Sequence, residues 1–161
     1  MTVREYNECV DRHADPVYRF ILKNLRDEEG ARDVVQEAYA RMWEKVKDVS
    51  YEKAKSYLFT TAYHTMIDHI RKNQRQIRME DGHINMVRSR HDYNDIREVL
   101  DEGLAKLPEI QRSVLMLRDY EGYAYQEIGE ITGLSESQVK VYIFRARAAL
   151  KKYIVSLDLV I

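Results

Sequence analysis

The sequence predicts an all-α protein, made of two small helical domains joined by a polar linker. Only 6 of its 161 residues are Gly and 2 are Pro, while 33% are charged, a composition that suits helices better than a turn-rich sheet protein. Apolar residues recur at spacings of three and four, which is typical of amphipathic helices. The length allows one ordinary domain or two small ones, and the pattern fades mid-chain, which favours two.

The first predicted domain comprises residues 1–75 and contains three helical stretches. The apolar pattern of the first covers residues 6–21, and Pro16 marks a point where the helix is expected to restart. Asp27 is a predicted N-cap for a second helix that reaches about residue 47. A third helix is expected over about residues 54–73, with cations at its C-terminal end, where they complement the helix dipole.

Residues 76–95 are predicted to form the linker, because polar residues dominate there and few aliphatic side chains remain to build a core. Order returns in the second predicted domain, residues 96–161. There Pro108 fits the start of one helix, Gly122 is expected to end it, and Gly133 is expected to close a short helix before the last one.

Bulk properties exclude several classes of protein. A net charge of −1 argues against a nonspecific nucleic-acid coat protein, although two acid-free basic segments, within residues 71–78 and 137–157, stand out. Cys9 is the only cysteine, so we expect no disulfide framework and no thiolate zinc site. Neither a signal peptide nor an apolar run of about 20 residues is visible, so we expect a cytoplasmic protein without membrane insertion.

The strongest local signal is a helix-turn-helix pattern over residues 126–139. Gly129 has no side chain and so lets the second helix approach the first, and Gly133 supplies the backbone freedom of the tight turn. Ser135 is a predicted N-cap, and Gln138, three residues later, completes a capping box. Apolar side chains are expected to fill the angle between the helices: Ile128, Leu134 and Val139.

The last helix has an inward and an outward face. The inward stripe is predicted to comprise Val139, Ile143, Ala146, Leu150 and Tyr153. On a helix in the major groove, outward cations meet phosphates or guanine edges, and apolar groups meet thymine methyls. The alternative is a solvated basic helix with Phe144 packed on a neighbour. The candidate DNA-binding residues are Ser137, Gln138, Lys140, Val141, Tyr142, Phe144, Arg145 and Arg147.

Three stretches, in this order, resemble the extracytoplasmic-function group of bacterial sigma factors. Residues 31–43, ARDVVQEAYARMW, are similar to the helix that binds core RNA polymerase in that family. Residues 56–72, SYLFTTAYHTMIDHIRK, are similar to the segment that opens and reads the minus-ten promoter element. Residues 107–147, from LPEIQR to RAR, resemble the domain that reads the minus-thirty-five element.

This resemblance implies a polymerase-binding face on the second helix. Asp33 and the pair Gln36 and Glu37 are three and four residues apart, so they share a helix face. The alternative is a solvated face that supports ion pairs such as the one between Glu37 and Arg41. Trp43 is expected in the core. The predicted polymerase-binding residues are Asp33, Gln36, Glu37 and Arg41.

The resemblance also implies a minus-ten surface on the third helix, where rings hold unstacked bases and cations hold the backbone. Many family members have Asn where this chain has His64, and Arg where it has Lys140, so we expect altered hydrogen bonding at both positions. Tyr57 also fits the apolar stripe and is a candidate core residue. The predicted minus-ten residues are Tyr57, Tyr63, His64, Asp68, Arg71, Lys72 and Arg75.

Two other functions would account for parts of the sequence. A metal-dependent enzyme would use His64, Asp68 and His69, but His69 points away from the other two and there is no HExxH pattern. A helix-turn-helix regulator that acts without polymerase would not need the basic, aromatic third helix. We therefore expect an alternative sigma factor whose partners are core RNA polymerase, promoter DNA and an anti-sigma factor, without catalytic residues, cofactor, metal or small-molecule substrate.

Overall fold

The computed structural model describes the backbone of residues 1–80 and 96–158 and confirms the all-α class. These residues form seven α-helices and one short 3-10 helix, and none of them lies in a strand. The helices form an N-terminal half that ends with α3 and a C-terminal half that begins with α4.

The N-terminal half consists of α1 (Val3–Leu25), α2 (Glu28–Glu44), a 3-10 helix (Tyr51–Lys53) and α3 (Ala54–Glu80). α1 begins at a capping box in which the Glu5 N–H donates to the Thr2 hydroxyl. Pro16 lies inside α1, which is continuous, so the predicted restart was wrong. Asp27 is the N-cap residue of α2 as predicted, although its side chain makes no capping hydrogen bond.

The core of the N-terminal half lies where α1, α2 and α3 pack against one another. Its largest fully buried side chains are Phe20, Ile21, Met42, Leu58, Phe59 and Met66. Trp43 is 46% exposed, so its predicted place in the core was wrong. Its ring packs edge to face on Tyr6, with centroids 4.9 Å apart, on the surface of the α1–α2 pair.

The C-terminal half consists of α4 (Ile96–Ala105), α5 (Glu109–Asp119), α6 (Tyr125–Thr132) and α7 (Glu136–Asp158). The three shorter helices all pack on α7. Gly122 follows α5 with a φ of 74°, and Gly133 ends α6 with a φ of 81°, a left-handed conformation that glycine adopts without steric cost. Gly133 therefore closes α6 as predicted, whereas α5 ends at Asp119, three residues before the predicted end at Gly122.

The linker prediction covers residues 76–95. Helix α3 continues beyond the expected limit at about residue 73 and ends at Glu80. Residues 81–95 of the predicted linker, and residues 159–161 of the predicted second domain, lie outside the described residues. The two halves contact each other directly, through α3 with α6 and through α1 with α4 and α5.

Candidate nucleic-acid and protein interfaces

The predicted helix-turn-helix is formed by α6, a turn and α7. The capping box at the start of α7 is present: the Gln138 N–H donates to the Ser135 hydroxyl at 3.1 Å, and the Ser135 N–H donates to Gln138 Oε1 at 2.9 Å. Gly129 lies so close to the turn that a Cβ atom there would be 2.7 Å from the Leu134 carbonyl oxygen. The close approach predicted for this glycine is confirmed.

The two faces of α7 are divided as the spacing predicts. Val139, Ile143 and Ala146 are buried, and Leu150 and Tyr153 are partly buried. On the outward face Phe144 is 74% exposed, and Val141 is also exposed, so neither ring nor isopropyl group is used by the fold. Of the candidate DNA-binding residues on α7, Tyr142 alone is half-buried; the others are exposed.

Two of the cations of α7 are paired with carboxylates. Lys140 Nζ is 3.5 Å from Glu136 Oε1, and Arg147 Nη2 is 2.6 Å from Asp119 Oδ1. Both pairs are about half exposed, and exposed pairs contribute little to stability. Breaking either pair therefore costs little free energy.

Two residues that were not predicted, Arg118 and Tyr125, lie beside the start of α6 and extend the basic surface formed by the cations of α7. The guanidinium carbon of Arg118 is 4.5 Å from the centre of the Tyr125 ring, and Lys140 Nζ is 5.6 Å from it. Arg118 also donates to the Tyr123 carbonyl at 2.9 Å, which holds its side chain across the turn. No spacing rule reveals Arg118, because it comes from α5 and reaches this surface only through the packing of α5 on α6.

The predicted polymerase-binding residues lie together on the solvent side of α2. Asp33, Gln36, Glu37 and Arg41 are all exposed. Arg41 Nη2 donates to Glu37 Oε1 at 2.6 Å, the i,i+4 pair that the solvated-face alternative expected. The opposite side of α2 is buried against α1 and α3, so this exposed face is oriented rigidly.

A cleft of about 350 Å³ between α2 and α3 brings part of the predicted minus-ten set together. Tyr57 and His64 line it, next to Arg41. Its remaining lining residues were not predicted: Glu44, Lys45, Thr60 and Thr61. The spacing of positions 57, 60, 61 and 64 places them on one face of α3, so this signal was available in the sequence.

Tyr63 does not line this cleft and is only 5% exposed. Burial raises the pKa of its hydroxyl, and the Glu109 carboxylate from the C-terminal half raises it further. Further along α3, Asp68, Arg71, Lys72 and Arg75 are exposed. The structure thus divides the predicted minus-ten residues between an open cleft, a solvent-exposed basic helix end and a covered ring.

The residues of the rival metal site do not form a cluster. The Asn73 side-chain amide is 3.2 Å from Nε2 of His69, and His64 faces the α2–α3 cleft. Within residues 1–80 and 96–158, no group of three His, Cys, Asp or Glu side chains is arranged to hold a metal ion. No helix in the same part of the chain is long and apolar enough to cross a membrane.

Comparison with known proteins identifies both halves. Residues 9–76 match the Sigma-70 region 2 family, and residues 97–150 match the Sigma-70 region 4 family. The chain is 31% identical to the ECF RNA polymerase sigma factor SigM of Bacillus subtilis, over 90% of this chain and 92% of that protein. It is 29% identical to RNA polymerase sigma factor SigV of the same organism, over 94% and 92% of the two chains.

The fold is similar to that of the sigma factor RpoE from Bartonella quintana, solved in complex with the anti-sigma factor NepR. The TM-score is 0.82 at 20% identity, over 94% of this chain and 98% of that one. Region 2 therefore corresponds to the N-terminal half and region 4 to the C-terminal half, which contains the helix-turn-helix. This chain belongs to the extracytoplasmic-function group of RNA polymerase sigma factors.

Proposed function

We propose that α2 holds core RNA polymerase through Asp33, Gln36, Glu37 and Arg41, while α3 and α7 read two promoter elements. The observation that carries this proposal is the separation of the surfaces: the outward face of α7 and the exposed face of α2 lie on different halves, and neither is used by the core. A subunit with both surfaces can hold the enzyme and DNA at once.

At the upstream element, α7 enters the major groove with Phe144 and Val141 toward base edges. Lys140, Arg145 and Arg147 contact phosphates or guanine, and Arg118 and Tyr125 extend the basic surface along the DNA backbone. Ser137, Gln138 and Tyr142 lie at the edge of this surface. Gln138 has a structural role in addition, since its side chain caps α7.

At the minus-ten element, the α2–α3 cleft receives an unstacked base, and the cations at the end of α3 hold the strand. Tyr57 supplies a ring and His64 a hydrogen-bonding group at the cleft, while Arg71, Lys72 and Arg75 supply charge. Asp68 is one turn from His64 on the same helix face. An imidazole in place of the amide found in many relatives changes the set of bases that this cleft selects.

The protein is proposed to act in the cytoplasm, where core polymerase and DNA are found, and to contribute recognition rather than chemistry of its own. An anti-sigma factor is proposed as its regulator. Support comes from the similar fold of RpoE, which was solved with the anti-sigma factor NepR.

Runoff transcription with purified core polymerase and a pool of genomic templates tests the function. The protein is expected to produce discrete start sites that core enzyme alone does not produce. If no start site appears on any template while the protein is folded, the sigma function is refuted. A regulator that acts without polymerase would bind DNA but would produce no new start site and would not copurify with the core enzyme.

Two substitutions separate the surfaces. Glu37→Ala is expected to weaken core binding and leave upstream DNA binding unchanged, with Glu130→Ala, an exposed glutamate of α6, as its control. Lys140→Ala is expected to do the reverse, with Lys152→Ala, an exposed lysine further along α7, as its control. Loss of both activities from either change would contradict the division of roles.

The salt dependence of upstream DNA binding provides a second readout for Lys140→Ala. Each phosphate contact releases counterions, so removing one contact is expected to reduce the slope of log affinity against log salt concentration by about one. An unchanged slope would mean that Lys140 does not contact a phosphate.

A further inference from the structure

The last two residues of α5, Arg118 and Asp119, contact the two helices of the helix-turn-helix. The residues just before them, 112–117, are all buried, so α5 is a fixed part of the core of the C-terminal half. The helix packs on both α6 and α7. Its end is therefore a rigid point from which the positions of the other two helices can be set.

Arg118 contacts the segment that leads into α6. It donates to the Tyr123 carbonyl at 2.9 Å, and its guanidinium carbon lies 4.5 Å from the centre of the Tyr125 ring. Tyr125 is the first residue of α6. The hydrogen bond and the cation–π contact together restrict the backbone before α6 and the first side chain of that helix. Arg118 thus holds the start of α6 on α5.

Asp119 contacts α7. Arg147 Nη2 donates to Asp119 Oδ1 at 2.6 Å, and Arg147 Nε donates to Asp119 Oδ2 at 3.4 Å, so one carboxylate accepts from two donors of one guanidinium. A two-pronged pair of this kind fixes direction as well as distance, because the two planar groups have to align. The contact joins α5 to α7 across 28 positions of the chain and relates the orientation of one helix to that of the other.

Two electrostatic effects disfavour an acid at this position. Asp119 is the last residue of α5, where the negative end of the helix dipole opposes a carboxylate. It also lies beside Arg147, on a surface proposed to meet phosphates, which repel a negative charge. The pair with Arg147 is the contact that offsets both effects.

Glu136 offers a direct comparison, because it is also an acid paired with a cation of α7. Its Oε1 atom is 3.5 Å from Lys140 Nζ, one turn along the same helix. Glu136 is in the first turn of α7, where the helix dipole favours an acid. Since both partners belong to α7, this pair turns with the helix and does not orient it on any other helix.

Reading base edges depends on the orientation of α7 more strongly than backbone binding does. Hydrogen bonds to base edges weaken steeply when their distance and angle change. Attraction to phosphates acts over a longer range and carries no sequence information. A small rotation of α7 on α5 is therefore expected to lower the affinity for the cognate sequence and to leave nonspecific affinity nearly unchanged.

We propose that Asp119 is a positioning residue for recognition of the upstream element: it holds α7, through Arg147, at the angle from which that helix reads base edges. The proposal rests on the function proposed above, in which α7 enters the major groove. It has an unusual consequence. Removal of an acid from a DNA-binding surface ordinarily strengthens binding, whereas removal of this acid should weaken sequence discrimination.

The test uses holoenzyme reconstituted from core polymerase and each variant of the full chain. The probes are a promoter duplex identified by runoff transcription and the same duplex with its upstream element scrambled, and the ratio of the two affinities measures discrimination. Asp119→Asn removes the charge and keeps the size. Glu136→Gln is the matched control, because it makes the same change in an acid whose pair lies within α7. Both side chains are about half exposed, so both variants are expected to fold.

Asp119→Asn is expected to lower the affinity ratio by about threefold, within the range that loss of one exposed pair produces. The affinity for the scrambled duplex should rise slightly, because an acid has been removed. Glu136→Gln should raise both affinities equally and leave the ratio unchanged. In an Arg147→Ala background, Asp119→Asn should cause no further fall in the ratio, because Asp119 acts through Arg147.

The orientation of α7 is measured in the free protein, without DNA. Nitroxide labels at Glu130→Cys and Lys152→Cys, both exposed positions, report the distance between α6 and α7. Cys9 is 1% exposed and is therefore protected from the label. Asp119→Asn should broaden the distribution of this distance, and Glu136→Gln should leave it as it is in the unsubstituted protein.

The proposal is overturned by an unchanged affinity ratio in Asp119→Asn, by an equal fall in Glu136→Gln, or by a further fall in the Arg147→Ala background. An unchanged distance distribution in Asp119→Asn would also overturn it. Failure of the proposed function would look different. The unsubstituted holoenzyme would then give no start site or bind both duplexes equally, while the distance distribution would still broaden in Asp119→Asn.

Discussion

Substitution of Gly129 by alanine tests how α7, the second helix of the helix-turn-helix, is positioned. In most helix interiors, Gly→Ala stabilises a protein by about 1 kcal/mol, because alanine restricts the unfolded chain and favours the helix. Here the new Cβ would be 2.7 Å from the Leu134 carbonyl oxygen, a backbone atom that cannot rotate away. Relief therefore requires α6 and the turn before α7 to move apart by roughly half an ångström or more.

The steric cost is expected to exceed the gain in helix propensity. Forcing an extra carbon into a packed site costs about 1–3 kcal/mol, which leaves a net loss of about 1 kcal/mol once the propensity gain is subtracted. For a chain of this length, such a loss lowers Tm by about 3 °C. Upstream DNA affinity should fall by about tenfold, the value of one good base contact, because α7 is displaced. Core binding through α2 should be unchanged.

Urea unfolding followed by far-UV circular dichroism measures the stability, and titration of a labelled upstream duplex measures the affinity. Glu130→Ala is the control, since it places an alanine at an exposed neighbouring position of α6, where no clash arises. If Gly129→Ala raised the unfolding free energy, or lowered stability without any effect on DNA binding, the close approach of α6 to the turn would not be what positions α7.

Three further predictions concern single side chains. Phe144→Ala should change the unfolding free energy by less than about 0.5 kcal/mol, since the ring is 74% exposed. It should nevertheless weaken upstream DNA binding by about fivefold. A large fall in Tm would mean that the ring stabilises the fold and does not face DNA. Gly133→Ala should lower the free energy of unfolding by about 1 kcal/mol, because the position has a φ of 81°. Gly133→Asn should lower it by less, and equal Tm values for the two variants would refute this. Burial raises the pKa of Glu109, so its folded-state pKa lies above its unfolded value and its contribution to stability falls as pH rises from about 4.5 through the raised pKa. Glu109→Gln should therefore reduce the pH dependence of the unfolding free energy, measured by urea denaturation, over that pH window. An unchanged pH dependence would contradict the raised pKa of Glu109.

Much of the DNA-reading module was predictable because its determinants are local. The Ser135–Gln138 capping box, the left-handed Gly133 and the inward stripe of α7 each depend on residues within a few turns of one another. The spacing of apolar residues also predicted an exposed Phe144. These features follow from helix geometry and turn conformation, and they do not depend on how the two halves pack together.

Predictions that depended on longer-range packing were less successful. Trp43 was expected in the core, yet it lies at the surface, where its ring packs on Tyr6 of α1. Pro16 was expected to interrupt α1, but the continuous helix tolerates it. The basic neighbourhood of Tyr125 was missed, since Arg118 reaches it from a different helix.

The sequence by itself determined the helical class, the helix-turn-helix, the exposed faces of α2 and α7, and the family to which the three stretches are similar. The tertiary structure alone decided that Asn24 meets Arg112, 88 residues along the chain, and that Tyr63 is buried. Helical periodicity specifies which side of a helix is apolar, but not which other helix will cover it. The polar contacts that favour one packing of the helices over another are formed between residues far apart in the sequence, so only the tertiary structure reveals them.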